Sequence, residues 1–146
     1  MKPEGRLRLR RISVLSSRII AGSAFAIAAW AKAVDPWGSV YKLNEYFTVW
    51  NLDVPHEITV TLAGTLSCVE FLIGVLLLSG SLRRTAAILL TAMMAFMLPL
   101  TAWIYIADPV ADCGCFGDFL PISNGLTFLK NIILSLIAAY LLLYNR

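Results

Sequence analysis

Four long apolar segments constrain this chain more than any other feature of its sequence. They cover residues 12–33, 57–79, 85–106 and 126–144. A helix of about 20 apolar residues crosses the hydrocarbon core of a bilayer. With 59% hydrophobic and only 14% charged residues, the chain is too apolar for an ordinary soluble domain. The sequence therefore predicts an all-α integral membrane protein in a lipid bilayer, with a single four-helix bundle domain over residues 1–146.

The first segment has a second interpretation, because a secretory signal peptide also joins a basic start to an apolar run. Ala31-Lys32-Ala33 resembles a signal cleavage site. The apolar run is longer than a usual signal core, however, and Arg18 lies inside it. We therefore favour a membrane span, and its many small residues also suit close helix packing.

A short amphipathic helix is predicted between the first and second spans, within residues 34–55. Asp35-Pro36 is typical of an N-cap followed by a proline at the first helical position, and apolar residues then recur at helical spacing. The segment is rich in side chains that prefer the membrane-water boundary, namely Trp37, Tyr41, Tyr46 and Trp50. We expect this helix to lie along the membrane surface, either as an interfacial anchor or as a lid over the loop that precedes the fourth span.

The basic residues are sorted to one side of the membrane. The termini and the turn before the third span carry most of them, namely Lys2, Arg6, Arg8, Arg10, Arg11, Arg83, Arg84 and Arg146. Because cytoplasmic loops are rich in Lys and Arg, we expect a multi-pass inner-membrane protein with both termini in the cytoplasm. The loop between the third and fourth spans then faces the periplasm. The net charge of +3 consequently does not indicate a nucleic-acid partner.

That loop contains the motif Asp112-Cys113-Gly114-Cys115-Phe116-Gly117-Asp118. Two cysteines one residue apart need a turn before their sulfurs can meet, and Gly114 lets the backbone fold that tightly. A Cys113–Cys115 disulfide would be strained and easily reduced. Disulfides also form and exchange in the periplasm. The motif thus favours a redox-active pair, while a static bridge, merely buried thiols, and a metal site with Asp112 and Asp118 stay open.

Arg18 and Glu70 are charged residues inside predicted spans, where an unpaired charge is costly. Each lies thirteen residues from the outer end of its helix, counted from residues 31 and 57, which is ~20 Å at 1.5 Å per residue. Equal depth on adjacent antiparallel helices predicts an Arg18–Glu70 ion pair. Its role would be a structural lock between the helices or proton handling for thiol chemistry.

Lys130 lies one turn into the fourth span, just below the cysteine loop. Its ammonium would favour a thiolate at the cysteine pair, which makes it a candidate catalytic residue beside Cys113 and Cys115. An extension to the lipid headgroups is an equally open interpretation. Cys68 lies too deep in the second span to reach the loop, and we interpret it as a small packing residue rather than a relay thiol.

The chain resembles the DoxX-like membrane proteins, particularly the branch that contains MauE, the methylamine-utilisation membrane protein. The likeness runs across nearly all four spans. It rests on the cysteine loop together with Arg18, Gly22, Lys32, Glu70, Gly74, Phe128, Lys130 and Asn131. The resemblance implies a four-helix membrane bundle and a role in disulfide handling beside thioredoxin-like proteins of the periplasm.

Together these features predict a membrane-embedded thiol-disulfide redox protein. Cys113 and Cys115 would exchange electrons with a periplasmic thioredoxin-like protein or a disulfide-bearing substrate through a mixed disulfide. No haem, flavin or nucleotide motif is present, so no cofactor is predicted. A quinone near the aromatic outer surface stays open as the electron acceptor, but no residues identify a pocket for it. The alternative function is a non-enzymatic subunit that assembles or stabilises a larger membrane complex, with the cysteine turn as a fastener.

Overall fold

The computed structural model describes residues 3–110, 113–114 and 122–144, and these residues form five α-helices. In chain order the helices are α1 (Pro3–Val34), α2 (Pro36–Val49), α3 (His56–Ser79), α4 (Arg83–Ala107) and α5 (Asn124–Tyr144). All except α2 are long and apolar enough to cross a membrane. The all-α class and the four predicted spans are therefore confirmed.

Large apolar side chains point outward along all four long helices. Ile20, Phe71, Phe96 and Leu136, one from each helix, are all more than half exposed. A surface of this kind is unfavourable in water and matches the hydrocarbon core of a bilayer. The chain is accordingly a multi-pass membrane protein.

The start of α1 and the end of α5 meet at one end of the bundle. The Arg10 Nη2 donates a hydrogen bond to the Tyr144 carbonyl oxygen at 3.4 Å, and the guanidinium lies 5.0 Å from the centroid of the Tyr144 ring. The α3–α4 turn lies at this end too, because Gly80 lies against the Arg18 guanidinium. We call this the terminal end, and the opposite end, which carries α2 and the cysteine turn, the loop end. Residues 1–11 read from the sequence as a basic tail, and the structure places its arginines, Arg6, Arg8, Arg10 and Arg11, within α1.

The long helices pack mainly as two antiparallel pairs, α1 with α3 and α4 with α5. The buried core is rich in alanine, which lets the helices approach closely. Its members are Ala21, Phe25, Ile73, Leu77, Ala86, Ala87, Leu90, Met94, Leu134, Ala138 and Leu141. Although a short turn joins α3 to α4, these two helices touch each other much less than either touches its pair partner.

Asp35 begins α2 as the sequence predicts. Its side-chain Oδ1 accepts a hydrogen bond from the Gly38 N–H at 3.0 Å, and Pro36 takes the first helical position, where a missing N–H costs nothing. From this cap, α2 packs against α3 and, to a smaller extent, against α1. An aromatic helix thus lies over the loop end of the bundle.

Candidate functional site

Cys113 lies beyond the end of α4 and is held by α2. It is 7% exposed and belongs to a small buried cluster with Tyr46, Ile104 and Val110. The Tyr46 hydroxyl donates a hydrogen bond to the Cys113 carbonyl oxygen at 2.8 Å. The aromatic helix, expected as either an anchor or a lid, therefore makes direct contact with the cysteine turn.

Gly114 adopts a backbone conformation that suits a sharp turn. Its φ is +65°, in the left-handed region that favours glycine. A Cβ at this position would come within 2.7 Å of the Lys42 Cγ, so the packing of α2 also requires a residue without a side chain. The backbone conformation and the packing of α2 thus both favour glycine at position 114, between the two cysteines.

The three other polar residues of the motif, Asp112, Cys115 and Asp118, lie outside the described residues. The Cys113–Cys115 disulfide and the metal alternative consequently stay predictions. Within residues 3–110, 113–114 and 122–144, no group of three His, Cys, Asp or Glu side chains is placed to hold a metal ion.

The two ends of the cysteine loop are tied together by Asn124, the first residue of α5. Its side-chain amide donates to the Asp108 carboxylate at 2.8 Å and to the Val110 carbonyl at 3.0 Å. One turn further into each helix, the Tyr105 and Phe128 rings stack with their centroids 5.5 Å apart. These contacts between the end of α4 and the start of α5 therefore hold the two ends of the cysteine loop close together.

Glu70 is paired with Lys32, not with Arg18. The Lys32 Nζ lies 2.6 Å from both Glu70 carboxylate oxygens, and the two residues are 4% and 5% exposed. The Arg18 guanidinium instead donates from Nε and Nη2 to the Leu77 carbonyl oxygen, at 3.1 and 2.8 Å. The predicted Arg18–Glu70 ion pair is therefore wrong.

The crossing of α1 and α3 explains the error. A Cβ on Gly74 would lie 2.9 Å from the Ala26 backbone nitrogen and 3.2 Å from the Gly22 carbonyl oxygen, so the two backbones touch at this point. Antiparallel pairing of residue 74 with about residue 24 puts the end of α1, residue 34, opposite about residue 64. The first two turns of α3 thus extend beyond α1 and pack on α2. The prediction assumed that residues at equal distance from the outer ends of α1 and α3 lie at the same depth in the membrane. That assumption is wrong, because the outer ends of the two helices are not level.

Lys130 lies beside the ion pair in the bundle interior. Together with Glu70, Asn131 and Met97 it lines a cavity of about 30 Å³. Asn131 is buried and donates to the Thr101 hydroxyl oxygen at 3.2 Å, which ties α5 to α4. A second ammonium therefore lies near the Glu70 carboxylate, and the expected effect of Lys130 on a thiolate stays a prediction.

The family model for the methylamine utilisation protein MauE matches residues 10–144. The chain belongs to the MauE family. No curated protein and no solved structure matches it. The matched region contains the cysteine turn and the Lys32–Glu70 pair, so the candidate site lies within the part that defines membership of the MauE family. The wider likeness to DoxX-like proteins stays a prediction.

This member of the MauE family has a groove between α2, α3 and α4 beside the cysteine turn, which we call the loop-end groove. Its volume is about 280 Å³, and its lining includes Cys113 and Gly114 from the turn and Lys32 from the ion pair. Most of the lining is apolar and aromatic, with Leu43, Phe47, Trp50, Leu62, Phe96 and Leu100 among its members. The cysteine turn, the Lys32 side chain of the buried ion pair and the aromatic helix therefore line one cavity.

Sequence reasoning did not assign Lys32, Ser39 or Tyr46 to the site, although it named Lys32 in the family resemblance and Tyr46 among the interfacial aromatic residues. Ser39 lines the groove, and its buried hydroxyl has no hydrogen-bond partner among the described residues. Ser39 and Tyr46 are seven residues apart, which is two helical turns, so a helical projection of α2 could have placed them on one face. Nothing local to the sequence marks Lys32 rather than Arg18 as the partner of Glu70.

Cys68 is a free thiol on the outer face of α3, where it is exposed. It does not belong to the buried core, so its prediction as a packing residue is wrong. It lines a surface cavity together with Ala33 of α1 and Trp37 of α2.

Proposed function

We propose that this chain exchanges thiols and disulfides in an inner membrane, with Cys113 and Cys115 as the redox pair and a periplasmic thioredoxin-like or disulfide-bearing protein as the partner. The observation that carries the proposal is the placement of Cys113, which α2 holds in a buried turn at the loop end of the bundle. The positive-inside rule assigns the arginine-rich terminal end to the cytoplasm, which leaves the cysteine turn for the periplasm.

The conformation of Gly114 supports a pair that can close on itself. A cysteine pair closes only when its Cα atoms come within roughly 4.4–6.8 Å of each other, and a left-handed residue between the two reverses the chain sharply enough to favour this. Strain in such a small ring favours a disulfide that is readily opened by an incoming thiolate.

The burial of Cys113 favours different roles for the two cysteines in the exchange reaction. A folded partner protein cannot reach a side chain that is only 7% exposed, as Cys113 is. We therefore assign the intermolecular disulfide to Cys115 and the internal, resolving position to Cys113. A partner thiolate attacks the Cys115 sulfur and releases the Cys113 thiolate; the partner's second thiol then displaces Cys115. Two electrons pass from the two partner thiols to the Cys113–Cys115 disulfide, and the partner leaves oxidised.

The family description suggests where such a partner is used. Its name refers to methylamine utilisation, and we propose that the partner protein serves that process. The 146 residues contain no Cys-x-x-Cys sequence, so electrons must be both delivered and removed by other molecules.

A trapping experiment tests the proposal. In Cys113→Ser, a mixed disulfide formed through Cys115 has no neighbouring thiol to displace it, so we expect a covalent adduct with a periplasmic protein on a non-reducing gel. In Cys115→Ser the remaining thiol of the pair is the buried Cys113, and much less adduct should form. Cys68→Ala is the matched control, because it removes an exposed thiol and leaves the pair intact.

The trapping experiment, together with a measurement of bound metal, addresses the two alternatives. Absence of an adduct in both single variants, with the host pathway still active, would favour the non-enzymatic subunit. Bound metal that is lost when the thiols are alkylated would favour a metal site.

A further inference from the structure

We propose that the loop-end groove binds a membrane-soluble quinone, which accepts the electrons of the reduced cysteine pair. The electron-transfer part rests on the proposed function, whereas the binding site rests on the groove alone. The argument uses the shape of the groove, its polar groups, its opening towards lipid and its contact with Cys113.

The groove has the size and surface that a flat ring requires. Its volume is about 280 Å³. Trp50 lies in its wall, and the Trp50 ring is 6.0 Å from the Tyr46 ring and 5.9 Å from the Trp103 ring, measured between centroids. Aromatic side chains stack favourably on flat conjugated rings, and apolar pockets with few polar groups are typical of small-molecule sites.

Ser39 supplies a polar group that calls for a ligand. It is 7% exposed and lines the groove, and its buried hydroxyl has no hydrogen-bond partner among residues 3–110, 113–114 and 122–144. A buried polar group left unpaired costs free energy, and a hydroxyl can rotate to donate to a carbonyl oxygen that enters the groove. A quinone brings such a carbonyl. A lipid acyl chain brings none and would leave the Ser39 hydroxyl unpaired.

The groove opens towards the lipid. Leu62 on α3 and Phe96 on α4 both line it, and both are exposed on the outer surface of the bundle. The opening lies between α3 and α4, which touch each other much less than either touches its pair partner. A ligand with a polar ring and a long apolar tail can therefore enter from the membrane and leave its tail between these helices.

The contact with Cys113 gives the quinone a chemical role. Cys113 lines the groove, whereas we assign partner contact to Cys115. When the Cys113–Cys115 dithiol closes to a disulfide, one S–S bond forms, and two electrons and two protons are released. The quinone takes up both electrons and both protons and becomes a quinol. The direction of the whole sequence is then the oxidation of partner thiols.

A labelling experiment tests the binding site in the full chain, reconstituted in lipid nanodiscs. The probe is a photoreactive azido-ubiquinone, with decylubiquinone as the competitor. We expect saturable labelling of α2 and of the Phe96–Leu100 segment, abolished by decylubiquinone. In Ser39→Ala we expect roughly fivefold weaker binding, because one hydrogen bond is lost.

Ser135→Ala is the matched control for that substitution. Its hydroxyl donates to the Asn131 carbonyl within α5, away from the groove, so binding should not change. The Ser39 hydroxyl makes no hydrogen bond to the part of the chain that the structure describes, so Ser39→Ala should fold normally. Label spread over the lipid-facing surface, label that decylubiquinone does not compete, or equal binding in the two variants would each overturn the proposed site.

A second measurement separates this inference from the proposed function. Reduced protein mixed anaerobically with decylubiquinone should form one quinol for each pair of thiols lost, and Cys113→Ser should bind the quinone but form no quinol. Partner adducts without any quinone binding would overturn the inference and leave thiol exchange standing. Quinone binding without quinol formation or adducts would support the site and overturn the redox role of the cysteines.

Discussion

The α1–α3 crossing and the loop-end groove use small side chains in opposite ways. At the crossing, Gly22 and Gly74 bring two backbones into contact and leave no space between them. At the groove, Ser39 and Ala63 line a cavity where α2, α3 and α4 do not close on one another. The first arrangement fixes the register of the bundle and hence the position of Glu70. The second leaves room for a ligand at the end that carries Cys113.

Glu70→Gln should have the largest effect on the rigid region. It leaves the buried Lys32 ammonium without its carboxylate, and breaking a buried ion pair from one side costs about 3–5 kcal/mol. The free energy of unfolding in mixed detergent and SDS would measure this. The exposed Glu57 on the same helix provides the control Glu57→Gln, which should change stability little.

A double-mutant cycle extends that prediction to the partner. Lys32→Met and Glu70→Gln should show strong coupling, whereas Arg18→Met and Glu70→Gln should be additive. Strong coupling between Arg18 and Glu70 would contradict the register set by the glycine crossing.

Gly74→Ala should have the next largest effect. Its new Cβ would lie 2.9 Å from the Ala26 backbone nitrogen, and overpacking of this kind typically costs about 1–3 kcal/mol. Gly64→Ala, on the same helix, is the control, since no atom of the described residues lies within 4 Å of its Cβ. It should stabilise α3 by up to about 1 kcal/mol through helix propensity. Equal effects in thermal unfolding would argue against the crossing.

Tyr46→Phe should loosen the loop end at a smaller cost in stability, about 1 kcal/mol for one hydrogen bond. The Cys113 carbonyl loses the hydroxyl that holds it, so the thiol should react faster. The rate of maleimide labelling would show this in a chain whose other cysteines are replaced by Cys68→Ala and Cys115→Ser. Tyr41→Phe, at an exposed position of α2, should leave the rate unchanged.

Cys68→Ala should have the smallest effect, because Cys68 is exposed on the outer face of α3. We expect a change in stability within about 0.5 kcal/mol and an unchanged rate of adduct formation in the Cys113→Ser background. A marked fall in that rate would support the alternative hypothesis that Cys68 acts as a relay thiol.

Local sequence was enough to predict the helices and one cap. The predicted second span, 57–79, differs by one residue from α3 (His56–Ser79), and Asp35 caps α2 as expected. These features depend on apolar length and on neighbouring residues alone. Of the candidate site, the sequence predicted only the cysteine motif. Ser39 and Tyr46 were not assigned to the site, because only the packing of α2 against the bundle brings them next to that motif.

The amino-acid sequence by itself determined a membrane-spanning bundle of four helices with a glycine turn between two cysteines, because hydropathy and backbone freedom are local properties. Only the tertiary structure decided that Glu70 meets Lys32, that Cys113 is buried, and that a groove opens beside it. Each of these depends on how far one helix slides along another, and that register follows from the contact of Gly22 with Gly74 across fifty residues of chain.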